Sequence, residues 1–338
     1  MGMIERRRSL AAVGALLVMP LLASAQKRRG ALQHPARIGL IHDYTDDLLS
    51  LLKAALQASG LQEGRDYVLV SSGVGYSESA AEGARRLVEA KVDLIFVNDT
   101  AHALAAHKAT DRIPIVMWFS GYPVEAGIAE SMVRPGKNVT GMSLYAGTGI
   151  WGKLLELLVE TKSETRRVSA LWGYVPPAFP RAEIEPCYAE LRDAARTLGL
   201  SLSIEEVPNP SHVSAGIEVV DRSSPDALLI TAGPGIWDER ERILRYAVHR
   251  RIPTVSDFHW PGPNSALQPL ITYGGSISEA MHRAARYAER ILFEGAKPAD
   301  LPIQQPAKFD LVVDMRMARA IDLTVPQSIL LRADRVIE

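Results

Sequence analysis

Cysteine is almost absent from this sequence of 338 residues, which contains one, Cys187. A lone thiol cannot close an internal disulfide, and it has no second cysteine with which to build a metal site. We therefore expect Cys187 to be a small, buried, apolar side chain rather than a reactive group. The sequence predicts no metal site and no cofactor.

Long apolar runs are missing beyond the first 25 residues. The N-terminal segment carries arginines at 6–8, an apolar run over 10–22 and small residues at 23–25. This order is typical of a cleaved signal peptide, and the run is too short for a membrane-spanning helix of about 20 residues. We predict a signal peptide over 1–25 and a mature chain from Gln26. That mature chain is expected in the periplasm, and it is not expected to span the membrane.

The export route stays open between two alternatives. Arg7 and Arg8, followed by Ser9 and Leu10, loosely fit a twin-arginine signal, but ordinary signals also begin with arginines. No cysteine stands directly after the apolar run, at the cleavage point, so a lipid anchor is not expected. The sequence thus predicts a periplasmic protein exported by the Sec or the Tat route.

Neither sign of charge dominates the chain. Residues 1–25 hold three arginines and one glutamate, so the remainder has 35 Lys and Arg against 38 Asp and Glu. The basic residues are interleaved with acidic ones, whereas nucleic-acid binding requires clustered positive charge. Nucleic acid is therefore not an expected partner.

The usual catalytic motifs are also missing. The chain has no G-x-S-x-G elbow, no phosphate-binding G-x-x-x-x-G-K-[ST] loop and no H-E-x-x-H pair. Gly73 and Gly75 begin like a dinucleotide-binding fingerprint, but Glu78 occupies the position of the third glycine. His42 and Asp43 have no partner histidines at a suitable spacing for a metal. We predict that the protein is not an enzyme.

Short apolar runs alternate with segments of helical period, which is typical of βαβ units around parallel sheets. Four strands are predicted in each half, at 37–41, 67–71, 93–97 and 113–118, then at 167–172, 202–207, 227–231 and 253–257. Further elements follow: a strand over 269–273, a helix with an apolar face over 277–291, a strand over 309–314 and a short helix ending near Ile321.

The two halves repeat the same local sequences in the same order. Residues 37–44 match 167–174, each beginning with Arg and placing a Tyr seven positions later. Gly-Leu recurs at 60–61 and 199–200, and Arg-Ile-Pro recurs at 112–114 and 251–253. The repeat predicts two lobes of one topology.

The remaining segments and 138–145 provide three places where the chain can pass between lobes. We predict an α/β fold of two similar Rossmann-like lobes with parallel sheets and a three-crossing hinge. The predicted first lobe comprises 26–142 and 275–303, and the second comprises 143–274 and 304–338.

Ligands of open parallel sheets bind beyond the carboxyl ends of the strands, where this chain places aromatic and short polar residues. The predicted ligand-binding residues are His42, Asp43, Tyr44, Asn98, Asp99, Thr100, Ser120, Tyr122, Trp172, Tyr174, Gly233 and Asp257. The aromatic residues of this set are expected to form a wall of the pocket: Tyr44, Tyr122, Trp172 and Tyr174. Thr100 and Ser120 are expected to hold an acidic or polar end of the ligand, and Asp257 is expected to bind an ammonium group. An equally open alternative is that Asp99 and Thr100 cap the helix that follows them.

The carboxyl end resembles a known family. Its most specific parts are Ala-Asp-Leu-Pro-Ile-Gln-Gln-Pro at 299–306, Lys-Phe-Asp-Leu-Val at 308–312 and Leu-Leu-Arg-Ala-Asp at 330–334, together with Arg-Pro-Gly-Lys-Asn-Val-Thr-Gly at 134–141. These segments are similar to substrate-binding proteins of ABC importers of the tryptophan and tyrosine type, with the type I periplasmic binding protein fold. The resemblance implies a monomer whose two lobes close on a small molecule and deliver it to an inner-membrane permease driven by a separate ATPase.

The sequence departs from this family where ligand choice is made. Asn-Asp-Thr at 98–100 replaces the usual Gly-Gly-Thr, and Gly-Tyr-Pro at 121–123 replaces Gly-Asp-Pro. Trp-Gly-Tyr at 172–174 replaces Trp-Asn-Pro. The resemblance therefore implies a solute-binding protein without naming its ligand.

Two other functions stay open at this point. The same cleft would serve a sensory module that presents its ligand to a receptor. A secreted hydrolase using His42 and Asp43 is the other alternative, which the missing motifs disfavour.

Overall fold

A computed structural model describes residues 34–41, 46–74, 79–143, 149–176, 181–233, 235–236, 239–259, 267–306 and 308–338. The predicted signal peptide at 1–25 lies outside these ranges. The described chain forms two β-sheets, one of five strands and one of seven.

The first sheet is built from residues before 144. Its strands are β1 (Ala36–Leu40), β2 (Tyr67–Ser71), β3 (Leu94–Val97), β4 (Ile115–Ser120) and β5 (Val139–Ser143). They pair in the order β2-β1-β3-β4-β5, all parallel. The helices of this part are α1 (Asp46–Ala58), α2 (Ala80–Glu89) and α3 (Thr100–Ala109).

The second sheet begins after α4 (Ile150–Thr161). Its strands are β6 (Arg167–Trp172), β7 (Ser201–Glu206), β8 (Ala227–Ile230), β9 (Thr254–Ser256), β10 (Ile271–Gly275), β11 (Phe309–Asp314) and β12 (Arg335–Ile337). They pair in the order β12-β11-β10-β9-β8-β6-β7, and only β10 and β11 are antiparallel. The helices are α5 (Arg181–Thr197), α6 (Val213–Ser223), α7 (Arg240–Arg250), α8 (Ile277–Glu294), α9 (Met315–Ala320) and α10 (Gln327–Leu330). Single 3₁₀ turns occur at Pro210–His212 and Pro298–Asp300.

The central strands form because continuous apolar runs are buried on both faces. Every residue of β3 and of β8 is buried, as parallel strands covered by helices on both sides require. Two strands were not predicted as strands. The sequence assigned β5 to a crossing, and β12 has three residues at the sheet edge, two of them exposed.

Helix α8 returns the chain from the second sheet to the first. It begins where the Ser276 side chain accepts a hydrogen bond from the Glu279 N–H, and it ends at Gly295, whose φ of 72° favours glycine. Its apolar face packs against α1, β4 and β5. The chain beyond it lies beside β5, where the Gln304 N–H donates to the Gly141 carbonyl at 2.9 Å.

The chain passes between the two sheets three times: after β5, between β10 and α8, and between Gln304 and β11. The exact limits of the lobes, 26–142 with 275–303 and 143–274 with 304–338, stay a prediction. Within the described part of the chain, no helix combines the length and the apolar character needed to cross a membrane.

Candidate functional site

At the carboxyl end of β3, Asp99 caps helix α3. One of its carboxylate oxygens accepts from the His102 backbone N–H at 2.8 Å, and the other lies 2.6 Å from His102 Nδ1. Asp99 and His102 are 2% and 5% exposed. The capping role considered for Asp99 therefore holds in the structure. His102 was not among the predicted site residues, although its spacing of three residues from Asp99 permits this contact.

A network of hydroxyl groups follows at the same edge of the first sheet. Thr100 Oγ1 and Ser120 Oγ are 3.1 Å apart, and the Gly121 N–H donates to Thr100 Oγ1 at 3.1 Å. The Ser143 hydroxyl donates to the Gly121 carbonyl at 2.5 Å. The three hydroxyl side chains are almost completely buried. Beside them, Asn98 Oδ1 is buried and has no hydrogen-bond partner among the described residues.

Asp257, just beyond β9, is the charged residue at the facing edge of the second sheet. Its Oδ2 accepts from the Tyr174 hydroxyl at 2.5 Å, and its Oδ1 accepts from the Ala232 N–H at 3.3 Å. In the described ranges it forms no ion pair with a basic side chain. Burial raises the pKa of this carboxyl to about 6, although the bonds from Tyr174 and Ala232 act in the opposite direction. Burial and the neighbouring Asp257 also raise the pKa of Tyr174.

An aromatic cluster packs behind Tyr174, the side chain that bonds to this carboxylate. The Trp172 ring centroid lies 4.6 Å from that of Trp151, 5.0 Å from Tyr188 and 6.0 Å from Tyr174. Trp172 is completely buried, and its indole N–H donates to the Tyr174 carbonyl at 3.0 Å. Trp172 thus lies behind Tyr174 in this structure and supports it from the core.

Gly233 contributes through its backbone. Its φ is 141°, and a Cβ there would lie 2.2 Å from the Gly173 carbonyl oxygen. The Gly173 N–H donates to Thr231 Oγ1 at 2.8 Å. The loops after β6 and β8 can approach this closely only because both contact positions are glycine.

Two contacts join the edges of the two sheets. The Tyr122 hydroxyl, beyond β4, is 3.1 Å from the sulfur of Cys187 on α5. Phe119 of β4 meets Phe258, beyond β9, with ring centroids 5.1 Å apart. Cys187 is 6% exposed, as its apolar character predicted, and burial raises its thiol pKa. Nothing in the sequence indicated that Cys187 would meet Tyr122.

The structure thus brings together most of the predicted residues at two facing edges. In the first sheet, Ser120 ends β4, and the residues that follow strands are Asn98, Asp99, Thr100 and Tyr122. The residues Trp172, Tyr174, Gly233 and Asp257 end strands of the second sheet or follow them. His42, Asp43 and Tyr44 lie outside the described residues. The described ranges contain no group of three or more His, Cys, Asp or Glu side chains that could hold a metal ion.

A two-sheet α/β fold whose strand ends face each other defines a class of ligand-binding proteins that hold a small molecule between two lobes. The sequence profile of one such family, described as ABC transporter substrate binding protein, matches residues 38–337. The chain belongs to that family.

Relatives support the same assignment. A tyrosine-binding protein of Clostridioides difficile (strain R20291) is 24% identical over 240 residues, which are 71% of this chain and 66% of that protein, slightly less than two thirds of its length. The structure of an ABC domain from Streptococcus pneumonia in complex with L-Trp is 20% identical and has a TM-score of 0.75, covering 90% of this chain and 100% of the other.

A conserved domain protein from Vibrio cholerae O1 biovar eltor is 21% identical with a TM-score of 0.77, again covering 90% and 100% of the two chains. These similarities confirm the predicted family and the type I periplasmic binding protein fold.

Proposed function

We propose that this protein binds an α-amino acid with an aromatic side chain between its two sheets and delivers it to an ABC permease. The observation that carries the proposal is the Asp257 carboxylate. It is a largely buried acid that accepts two hydrogen bonds and has no basic partner among the described residues. A buried carboxylate without a cation is costly, and a ligand ammonium group would offset that cost.

The surroundings of Asp257 favour an aromatic ligand. Phe258 follows it directly, Tyr174 bonds to it, and Phe119 and Tyr122 approach from the first sheet. Rings pack well against planar ligands in edge-to-face or offset arrangements. The name of the C. difficile relative and the L-Trp complex of the S. pneumonia domain support the same ligand class.

The first sheet presents a largely paired polar edge to the ligand. Helix α3 begins at Thr100, and the negative charge that its N-terminus favours is already supplied by the Asp99 carboxylate. Because Thr100 and Ser120 are buried and bond to each other, we propose that they hold the Gly121 backbone in place and do not contact the ligand. Asn98 Oδ1 remains available as an acceptor for a ligand N–H group.

The transport role rests on family membership together with the predicted signal peptide at 1–25. The protein would act in the periplasm as a monomer, bind its solute without chemical conversion and dock on an inner-membrane permease served by a separate ATPase.

Calorimetry of residues 26–338 with paired ligands tests the ligand class. L-tyrosine and L-tryptophan are compared with 3-(4-hydroxyphenyl)propionate and indole-3-propionate, which lack the ammonium group. We expect at least one amino acid to bind about a hundredfold more tightly than its deaminated partner, which corresponds to about 2.7 kcal/mol. Equal affinities, or no binding of either amino acid, would show that the proposal is wrong.

A further inference from the structure

A second cavity lies beside the candidate site, and its wall residue Gly274 packs against the backbone of Asp257. It has a volume of 610 Å³ and is formed by the ends of β10, β11 and β12, the first turn of α8, His259, and Leu51 of α1. We name it the edge cavity. None of the predicted ligand-binding residues that the structure describes lines it. Leu51 and α8 pack with the first sheet, whereas the strands belong to the second, so the edge cavity lies beside a crossing between them.

Two buried polar atoms in the wall of the edge cavity lack partners. Thr272 is 2% exposed, and its hydroxyl makes no hydrogen bond within the described chain. His259 Nδ1 is also buried and unbonded among the described residues. A buried polar group without a partner destabilises the fold, so two on one cavity indicate a missing ligand group.

The contact of His259 with Arg335 determines whether the missing ligand group donates or accepts a hydrogen bond. Its Nε2 contacts the guanidinium of Arg335, which can only donate, so Nε2 must accept. The proton of the neutral ring is therefore on Nδ1. Burial and the nearby Arg335 lower the pKa of His259 to about 4, which keeps the ring neutral. His259 Nδ1 is thus a donor without an acceptor, and the Thr272 hydroxyl can donate to the same ligand group.

The charges around the edge cavity limit the acceptor to one negative charge. Arg335 and the N-terminus of the 18-residue helix α8 favour an anion. Asp310 and Asp334 oppose it, but both pair with Lys308, whose Nζ lies 3.2 and 2.5 Å from them. A multiply charged anion would be repelled by these carboxylates. The single charge of one carboxylate matches the positive potential of Arg335 and the N-terminus of α8.

Apart from Ser276 and Ser278, the remaining wall is apolar. Leu51, Ile277 and Val312 line the edge cavity together with two glycines of β10. A cavity of this size holds more than a carboxylate alone, and apolar walls favour a compact hydrocarbon body.

We propose that the edge cavity binds a small monocarboxylate with an apolar body, its carboxylate held by Thr272, His259 and the first turn of α8. The Asp257 side chain does not line this site, although Gly274 of its wall contacts the Asp257 backbone. Because it lies beside a crossing between the sheets, its occupation would stabilise one arrangement of the two lobes.

Benzoate is the probe for this site. Calorimetry with residues 26–338 compares wild type with Thr272→Val, Arg335→Gln and the control Thr197→Val, which removes a hydroxyl from the exposed surface of α5. We expect benzoate to bind wild type and the control equally, and both cavity variants about tenfold more weakly. Asp257→Asn should leave benzoate binding unchanged, which separates this site from the amino-acid site.

The folding of Thr272→Val provides an independent readout. Valine has the shape of threonine without the unpaired hydroxyl, so ligand-free Thr272→Val should melt no lower than wild type while binding benzoate less well. A crystal grown with 4-bromobenzoate should show bromine in the edge cavity. Bromine only at Asp257, unchanged binding in both cavity variants, or no benzoate binding at all would overturn the proposal.

Discussion

The two facing edges of the candidate site differ in how completely their polar groups are paired. At the first sheet, Thr100, Ser120, Gly121 and Ser143 bond to one another, and Asp99 is occupied by the start of α3 and by His102. At the second sheet, Asp257 keeps a buried negative charge that no described basic side chain neutralises. Apart from Asn98 Oδ1, the polar groups described here at the first edge are paired without a ligand, whereas the charge of Asp257 at the second edge has no cationic partner among the described residues.

This difference indicates a division of labour between the edges. A satisfied network contributes to the stability of the protein and holds the backbone near α3 in a fixed place. An uncompensated buried charge lowers the stability of the ligand-free protein. Binding of a cationic ligand group removes this cost, so the same free energy contributes to affinity. Variants at the first edge should therefore change folding, and variants at the second should change binding.

The largest effect is expected for Asp257→Asn. Removing the negative charge while keeping the shape should weaken binding of L-tyrosine or L-tryptophan at least a hundredfold, because the ammonium group loses its partner. Isothermal titration measures the loss. Asp193→Asn, an exposed position on α5, is the matched control and should bind as wild type does. If Asp257→Asn binds normally, the charge of the second edge does not determine affinity.

Thr100→Val should show the opposite behaviour. The substitution leaves the Gly121 N–H and the Ser120 hydroxyl without their buried partner, so we expect the free energy of unfolding to fall by about 2 kcal/mol. Affinity should change less than threefold at temperatures where the variant is folded. Denaturant unfolding and titration on the same sample test both statements. A variant with normal stability and a large loss of affinity would reverse the roles assigned to the two edges.

The pH dependence of binding is the third test. With the pKa of Asp257 near 6, amino-acid affinity should be constant above pH 7 and fall up to tenfold per unit below pH 6, as the carboxyl is protonated. The stability of the ligand-free protein should change with pH in the opposite direction. Its raised pKa means that the folded state holds a proton that the unfolded state has lost between about pH 4 and 6, so stability falls as the pH rises through that window. Asp257→Asn should remove both dependences, and a pH profile shared by wild type and variant would contradict this account.

Much of the fold could be predicted because parallel strands and helix faces depend on local apolar patterns. The strands around Arg37 and Arg167 and the repeat between the halves follow directly from those patterns. The exposed edge strand β12 and the glycine-containing β5 lack a strong pattern, so the sequence did not identify them as strands.

Less of the candidate site than of the fold could be predicted from the sequence. Strand ends located Asp257 and Thr100, but side-chain partners depend on distant segments. The position of Trp172 in the core and the contact of Tyr122 with Cys187 are set by helices α4 and α5, which no rule about strand ends includes.

The contact between Tyr122 and Cys187 gives the smallest expected effect. A hydrogen bond to a thiol is weak, so Tyr122→Phe should change amino-acid affinity less than threefold. The same change should increase the rate at which a maleimide labels Cys187, because the hydroxyl that covers the sulfur is gone. Tyr246→Phe, which removes a hydroxyl bonded to Asp221 on the surface, is the control and should leave labelling unchanged. A loss of affinity as large as that of Asp257→Asn would mean that Tyr122 of the first edge determines affinity as strongly as the charge of the second edge, and the contrast between the two edges would then fail.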